Sequence, residues 1–166
     1  MGKTVFILLV FFMCITISAQ KKKIDLNKSL ITWTGKKVTG EHVGTIKLKE
    51  GSLDFKNGKV VGGNFVVNMA TLSNTDQTGK DKEKLEAHLK SNDFFSVKDY
   101  QTSQLVIKSI TETKKDFYTI NSELTIKGKT NPLTFDMVIM GNSAVADLKV
   151  DRTKYNIKYG SGSFFD

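Results

Sequence analysis

The chain has 166 residues, a length that suits one domain and allows a full hydrophobic core without disulfides or metals. Hydrophobic residues make up 39% and charged residues 25%, which is typical of a globular protein and argues against a disordered or membrane-embedded chain. The formal net charge is +8, but lysines such as Lys47 and Lys49 alternate with apolar residues, as on a solvated sheet face. We therefore expect no nucleic-acid partner, and weak attraction to an anionic membrane surface.

Residues 1–19 have the pattern of a secretory signal peptide. Lys3 supplies the positive charge, residues 5–17 form an apolar run, and Ser18 and Ala19 are the small residues that precede a cleavage site. The run is shorter than the roughly 20 residues that a membrane-spanning helix needs. We expect cleavage after Ala19 and export to the periplasm or the outside, with one folded domain over residues 20–166.

The residues that usually carry chemistry are few. The single cysteine, Cys14, lies in the predicted signal peptide, so the mature chain can form neither a disulfide nor a thiolate metal site. His42 and His88 form no zinc-binding pair, and residues 160–162 are not a nucleophile elbow, because no helix follows Ser161. We predict no metal, no cofactor and no catalytic site.

Apolar and polar residues alternate with a period of two through the first half of the mature chain, which predicts strands with one buried face. The alternation covers residues 29–35, 45–49, 52–56 and 60–69. The Asn57-Gly58 pair predicts a type I′ hairpin turn, because both central residues of that turn need a positive φ.

One short helix separates the two halves of the pattern. Residues 80–91 are rich in Lys, Glu, Leu and Ala, and their apolar residues recur at helical spacing. The second half predicts four further strands, which we expect to be sequential antiparallel neighbours. They cover residues 105–110, 117–127, 133–140 and 144–150. Six or more strands with one helix favour an all-β fold, an antiparallel barrel that is closed or nearly closed.

The interior of such a barrel can be filled with side chains or can leave room for one apolar ligand. The bulky apolar residues that could line a tunnel are Trp33, Phe65, Met69, Phe94, Phe95, Phe135 and Met137. These side chains could equally form a packed core, and the residues by themselves leave both interpretations open.

Five stretches, in chain order, resemble one known family. They are residues 33–44, 62–69, 85–95, 124–128 and 151–155. Together they resemble the YceI-like proteins, exported lipocalin-like barrels associated with polyisoprenoids and other long amphiphiles. The resemblance implies a YceI-like β-barrel over residues 20–166 that holds an isoprenoid or fatty chain as a carrier, store or scavenger. The alternative is a ligand-free structural or protein-interaction module of the cell envelope.

The resemblance and the barrel interior together suggest a set of ligand-binding residues. They are Trp33, His42, Phe65, Met69, Phe94, Phe135, Met137, Arg152 and Tyr155. Arg152 is the only arginine in the chain, and it could hold an anionic head group or pair with an acid such as Asp151. His42 lies in a predicted turn, where it could line the barrel mouth or be simply exposed.

The C-terminus departs from the family pattern. Members usually continue beyond the position of Asp166 into a last strand that closes the barrel. We therefore predict a barrel that lacks this strand, with edges that favour self-association, such as a homodimer.

Overall fold

A computed structural model of the protein describes residues 19–37 and 40–158. Its strands are β1 (Ala19–Lys23), β2 (Ile31–Lys37), β3 (Gly40–Lys56), β4 (Lys59–Asn74), β5 (Thr102–Lys114), β6 (Phe117–Ile126), β7 (Lys129–Met140) and β8 (Ser143–Asp147). One helix, α1 (Gly79–Lys90), lies between β4 and β5, and a 3₁₀ turn (Arg152–Tyr155) follows β8. Most of the predicted signal peptide and the predicted open C-terminus lie outside the described residues.

All the strand pairs are antiparallel, and they join the strands into one curled sheet, a half-barrel. The order across the sheet is β1, β3, β4, β5, β6, β7 and β8. β2 pairs with the first part of β3 and β1 with its last part, so the two strands share one edge. The prediction of an all-β, lipocalin-like antiparallel fold with one short helix is confirmed, and β5 to β8 are sequential neighbours as expected.

The turn between β3 and β4 has the predicted conformation. Asn57 has a φ of 51° and Gly58 a φ of 77°, and Lys56 pairs directly with Lys59 across the turn. Both central residues thus lie in the left-handed region that a type I′ turn requires.

The long strand β3 contains an extra residue that reverses its faces. Leu48 pairs with Val67 and Glu50 with Val66, so Lys49 has no partner on β4. A β-bulge of this kind changes which residues point to the core. The two alternating stretches, residues 45–49 and 52–56, are therefore parts of one bulged strand.

Two clusters of buried side chains lie inside the curled sheet. The first spans β3 to β7 and the C-terminal segment, and its buried members are Leu53, Val60, Leu105, Ile107, Ile120, Leu124, Met137, Tyr155 and Ile157. The second includes a residue of α1, and its buried members are Ile46, Met69, Leu72, Leu89 and Val97. Phe94 and Phe95, which follow α1, pack against both clusters and so connect the helix to the sheet.

The helix α1 is attached to the end of β4 by a buried face and by a carboxylate. Leu89 is buried, and the ring centres of His88 and Phe94 lie 5.7 Å apart in an edge-to-face arrangement. Glu86 accepts hydrogen bonds from the Asn74 N–H and the Ser73 hydroxyl, each 2.8 Å long. These bonds satisfy polar groups that would otherwise be costly beside the core.

The segment after β8 folds back into the first cluster. Asp151 accepts hydrogen bonds from the N–H and the hydroxyl of Thr153, which starts the 3₁₀ turn. Tyr155 is then 2% exposed and Ile157 0% exposed. This segment therefore contributes side chains to the interior of the half-barrel.

Candidate functional site

The concave face of the sheet is apolar but incompletely covered. Ile120 pairs with Phe135 and Tyr118 with Met137, and residues that pair directly share one face. Ile120 and Met137 are buried, whereas Tyr118, Phe135 and Ile139 are half-buried. The concave face thus keeps apolar surface within reach of solvent.

A cavity of about 750 Å³ opens at one end of the half-barrel. We call this the hairpin end, because the β3–β4, β5–β6 and β7–β8 turns meet there. The apolar lining of the cavity consists of Phe55, Val60, Tyr118 and Ile139. These residues belong to the first cluster or pack against it, so the floor of the cavity is the edge of the core.

The rim of this mouth is polar. It contains Gln20 and Lys22 of β1, Asn57 of the β3–β4 turn and Asp116 of the β5–β6 turn. The Lys22 Nζ lies 4.7 Å from the centre of the Phe55 ring, a cation–π distance. The mouth therefore combines an apolar floor with a charged rim, the arrangement that an amphiphile requires.

A second hollow, of about 490 Å³, lies near the β6–β7 turn. Its lining is polar and consists of Asn92, Asp93, Lys127, Asn156 and Lys158. The Lys127 Nζ donates to the carbonyl oxygen of Asn92 at 2.8 Å. No apolar residue of the described chain lines this hollow, and it lies at the other end of the sheet from the mouth.

The nine predicted ligand-binding residues do not come together in one site. Phe65, Phe94, Phe135, Met137 and Tyr155 contribute to the first cluster. Met69 is buried in the second cluster, and Trp33 and Phe94 pack against it. Neither cluster contains His42 or Arg152, and the lining of the mouth includes none of the nine residues.

Trp33 covers a glycine on the neighbouring strand. It pairs with Gly44, and its indole Nε1 donates to the carbonyl oxygen of Thr45 at 3.2 Å. A Cβ at Gly44 would lie 2.4 Å from the indole and 2.0 Å from the carbonyl oxygen of Ser73. The indole is thus held by the backbone at the β2–β3 end of the second cluster.

Arg152 is held by contacts within the C-terminal segment and with Phe94. Its Nη1 donates to the carbonyl oxygen of Ile157 at 3.1 Å, and its guanidinium carbon lies 5.3 Å from the centre of the Phe94 ring. Neighbouring Tyr155 is buried, which raises the pKa of its hydroxyl, and the charge of Asp151 adds to the shift. The role of Arg152 in holding a head group stays a prediction.

His42 belongs to a polar cluster at the opposite end from the mouth. Its Nδ1 lies 2.9 Å from Oδ2 of Asp76, and the other oxygen of Asp76 accepts from the Val43 N–H. Asn74, which is 0% exposed, also donates to Asp76. The hydrogen bonds from His42 and the Val43 N–H lower the pKa of Asp76 to about 2. These contacts tie the start of β3 to the end of β4.

Sequence reasoning did not identify the residues that line the mouth. Phe55 and Val60 flank the Asn57-Gly58 turn, and Tyr118 and Ile139 occupy the equivalent positions beside the other two turns. The signal available in the sequence was an inward-facing apolar residue next to each hairpin turn. The three turns can be placed together only when the strand order is known.

Comparisons with known proteins agree with this fold. The family model described as a YceI-like domain matches residues 23–166. A UPF0312 protein of Staphylococcus aureus strain USA300 is 36% identical over 85 residues, which cover 47% of this chain and 47% of that protein. A UPF0312 protein of strain MRSA252 is 44% identical over 61 residues, 37% of this chain and 33% of that protein. The chain thus spans less than half the length of the curated relatives it matches.

Two solved structures share the architecture. BcnA of Burkholderia cenocepacia has a TM-score of 0.71 at 20% identity, over 83% of this chain and 87% of that chain. A mutant Campylobacter jejuni YCEI protein with a monobromobimane guest has a TM-score of 0.52 at 13% identity, over 98% of this chain and 81% of that chain. These likenesses concern the fold. The family match, in contrast, covers most of the sequence, and the chain belongs to the YceI-like family.

Proposed function

We propose that this protein is an exported, non-catalytic binding protein that holds the apolar chain of a long amphiphile, isoprenoid-like or fatty. The chain would enter through the mouth at the hairpin end and lie along the concave face. Carriage, storage and scavenging are all compatible with this mode of binding.

The observation that carries the proposal is the cavity of about 750 Å³ at the hairpin end, which has an apolar floor and a polar rim. Its volume is within the range of small-molecule sites, roughly 300–1,000 Å³. Each methylene group that leaves water contributes about 0.8 kcal/mol, so a chain of several isoprene units offsets the cost of association. The half-buried Tyr118 and Ile139 offer apolar surface for such a chain.

Four of the ligand-binding residues predicted from sequence contribute to the proposed mode of binding. Phe65 and Phe135 are half-buried and pack against the first cluster, so they can extend the apolar path inward from the mouth. Met69 and Met137 are buried, and their flexible side chains can adapt to an inserted chain.

A second candidate function is the ligand-free envelope module. It is favoured by the packing of the central interior, where Ile120 and Ile157 are both 0% exposed. Tyr155, 2% exposed, fills space beside them. If these side chains do not move, the interior is a core and the mouth is a shallow surface feature.

Export belongs to the proposal as well, since it rests on the predicted signal peptide. Among the described residues, no helix is long and apolar enough to cross a membrane.

Titration with fluorescent prenyl and fatty-acyl probes tests the proposal. We expect saturable binding to the folded protein, weakened about tenfold or more by Ile139→Ser at the mouth or Phe65→Ala inside, because each removes apolar contact with the chain. Leu30→Ser is the matched control, because this side chain is 75% exposed and belongs neither to the core clusters nor to the lining of the mouth. Binding that does not saturate, or an equal loss in all three variants, would support the ligand-free module instead.

A further inference from the structure

We propose that the hairpin end is a docking surface for an anionic lipid bilayer, so that the mouth of the half-barrel faces the membrane. This inference goes beyond the proposed ligand binding. Docking depends on the outside of the sheet and on the turns, and it does not require a filled cavity.

An apolar strip lies on the outer face at the hairpin end. Phe117 pairs with Val138, and Val138 pairs with Val145, so the three side chains form a row across β6, β7 and β8. Met140, two residues beyond Val138, lies on the same face. Phe117 is 39% exposed, Met140 58% and Val145 60%. We call these four residues the outer strip.

A lysine stands directly over the aromatic member of the strip. The Lys114 Nζ lies 3.9 Å from the centre of the Phe117 ring. Lys114 and its neighbour Lys115 are both exposed. An aromatic ring beside flexible lysines is typical of surfaces that lie in the membrane interface, where the ring enters the head-group region and the ammonium groups meet phosphates.

Positive charge predominates around the three turns. The lysines there are Lys21, Lys22, Lys56, Lys59, Lys114 and Lys115. The acidic residues are Asp54, Glu112 and Asp116, of which Glu112 is paired with Lys59 at 2.9 Å. A surface of this sign is complementary to anionic lipid, since each lysine near such a membrane adds to the attraction.

Lipid is a better match than a protein partner for this surface. Lysine is depleted in protein interfaces, because fixing its long side chain is costly, whereas a fluid bilayer lets it stay mobile. The mouth lies between the same turns, so docking places its opening against the head groups.

Vesicle co-sedimentation tests the docking surface. The protein is isolated after export, and its intact mass establishes that the signal peptide has been removed. We expect it to bind vesicles of phosphatidylcholine and phosphatidylglycerol in a three-to-one ratio, and to bind pure phosphatidylcholine vesicles far less. The double variant Lys114→Glu, Lys115→Glu should lower the partition coefficient about tenfold or more. A higher salt concentration should also lower the partition coefficient of the wild type.

Matched control variants distinguish a specific effect of the hairpin end from a general effect of net charge or of unfolding. Lys80→Glu with Lys84→Glu makes the same change in net charge on exposed positions of α1, at the opposite end, and should bind nearly as well as the wild type. Phe117→Ser with Met140→Ser should weaken binding, whereas Leu30→Ser, at a side chain 75% exposed outside the strip, should not. Melting temperatures establish that each variant is folded.

Three results would overturn the proposal. They are no binding of the folded protein to anionic vesicles, equal losses in the α1 and hairpin-end variants, and a self-association in solution that the Phe117→Ser, Met140→Ser variant abolishes. The last result would assign the strip to a second copy of the chain. The vesicle experiment contains no prenyl or acyl probe. A failure to bind vesicles would therefore not contradict the proposed ligand binding, and a failure of the probe titration would not contradict docking.

Discussion

Gly44 lies in β3 where the indole of Trp33 crosses the strand. Any side chain there would overlap the indole and the carbonyl oxygen of Ser73, which are 2.4 Å and 2.0 Å from the Cβ position. The sequence placed Trp33 on an inward-facing strand position, but its partner could not be inferred. The pairing depends on the register of β2 with β3, which no local pattern of residues determines.

Gly44→Ala should therefore destabilise the protein by about 3 kcal/mol, because the neighbouring backbone or Trp33 must move. The measurement is the free energy of unfolding in a denaturant titration. Gly35→Ala is the control, since a Cβ at Gly35 would meet its nearest atom at 3.7 Å. Similar stability losses in the two variants would show that Trp33 does not pack over Gly44 as described.

Asp76 makes the stability of the protein depend on pH in the acid range. Its pKa is about 2 in the folded protein against 3.8 for the ordinary side chain, so between these values the unfolded state binds more protons. The stabilisation is complete above a pH of about 4 and is lost as the pH falls towards 2. When the carboxylate of Asp76 binds a proton in this pH range, it should lose its hydrogen bonds to His42 and Val43.

We expect the melting temperature of the wild type to exceed that of Asp76→Asn near pH 5, and the difference to shrink as the pH falls to about 2. Asp93→Asn, at an exposed position, is the control. A difference between wild type and Asp76→Asn that stays constant over this range would show that Asp76 has no lowered pKa.

At the scale of elements, the alternation of residues predicted most strands but not their ends. β1 was missed because its inward-facing positions include Gln20 and Lys22, which pair with Phe55 and Leu53. A polar side chain at the rim of a cavity removes the pattern that indicates a strand. The helix was predicted within one residue at each end, since residues 80–91 correspond to Gly79–Lys90.

The structure of the C-terminal segment could not be predicted from the alternation of apolar and polar residues. The prediction of a strand over residues 144–150 is partly right, because β8 covers Ser143–Asp147, and the chain then forms a 3₁₀ turn. Tyr155 and Ile157 enter the first cluster from this irregular segment. Their burial follows from tertiary packing, and no regular pattern marks them in the sequence.

Ile157→Ala should lower the free energy of unfolding by about 3 kcal/mol, since the side chain is 0% exposed and its loss leaves a cavity. Val150→Ala, at a side chain 42% exposed, should cost less than about 0.5 kcal/mol. Chemical denaturation measures both. A small loss for Ile157→Ala would mean that the segment after β8 is not part of the core.

At the scale of the whole molecule, the family and the architecture could be predicted from sequence, and the geometry of the site could not. Motifs such as residues 62–69 and 124–128 carried the family resemblance, which the match over residues 23–166 confirms. The mouth is formed by three turns that are distant in sequence. Its position depends on the curl of the sheet. Most of the ligand-binding residues predicted from sequence lie in the core clusters, and their role in binding stays a prediction.

The predicted missing strand and the homodimer stay predictions. They concern the edges of the half-barrel and the chain beyond residue 158. Within the described residues, β8 forms one outer strand of the sheet, and β1 with β2 forms the other. Strand edges of this kind are sites where a further strand or a second copy can pair.

The most direct test of the central claim is mass spectrometry of organic extracts from the exported protein, purified without added lipid. We expect one class of long-chain amphiphile, isoprenoid or fatty, in near-stoichiometric amount with the wild type and in strongly reduced amount with Ile139→Ser. Leu30→Ser should retain it. An extract that contains no such molecule, or the same mixture of membrane lipids from all three proteins, would contradict the claim that the half-barrel holds an apolar chain.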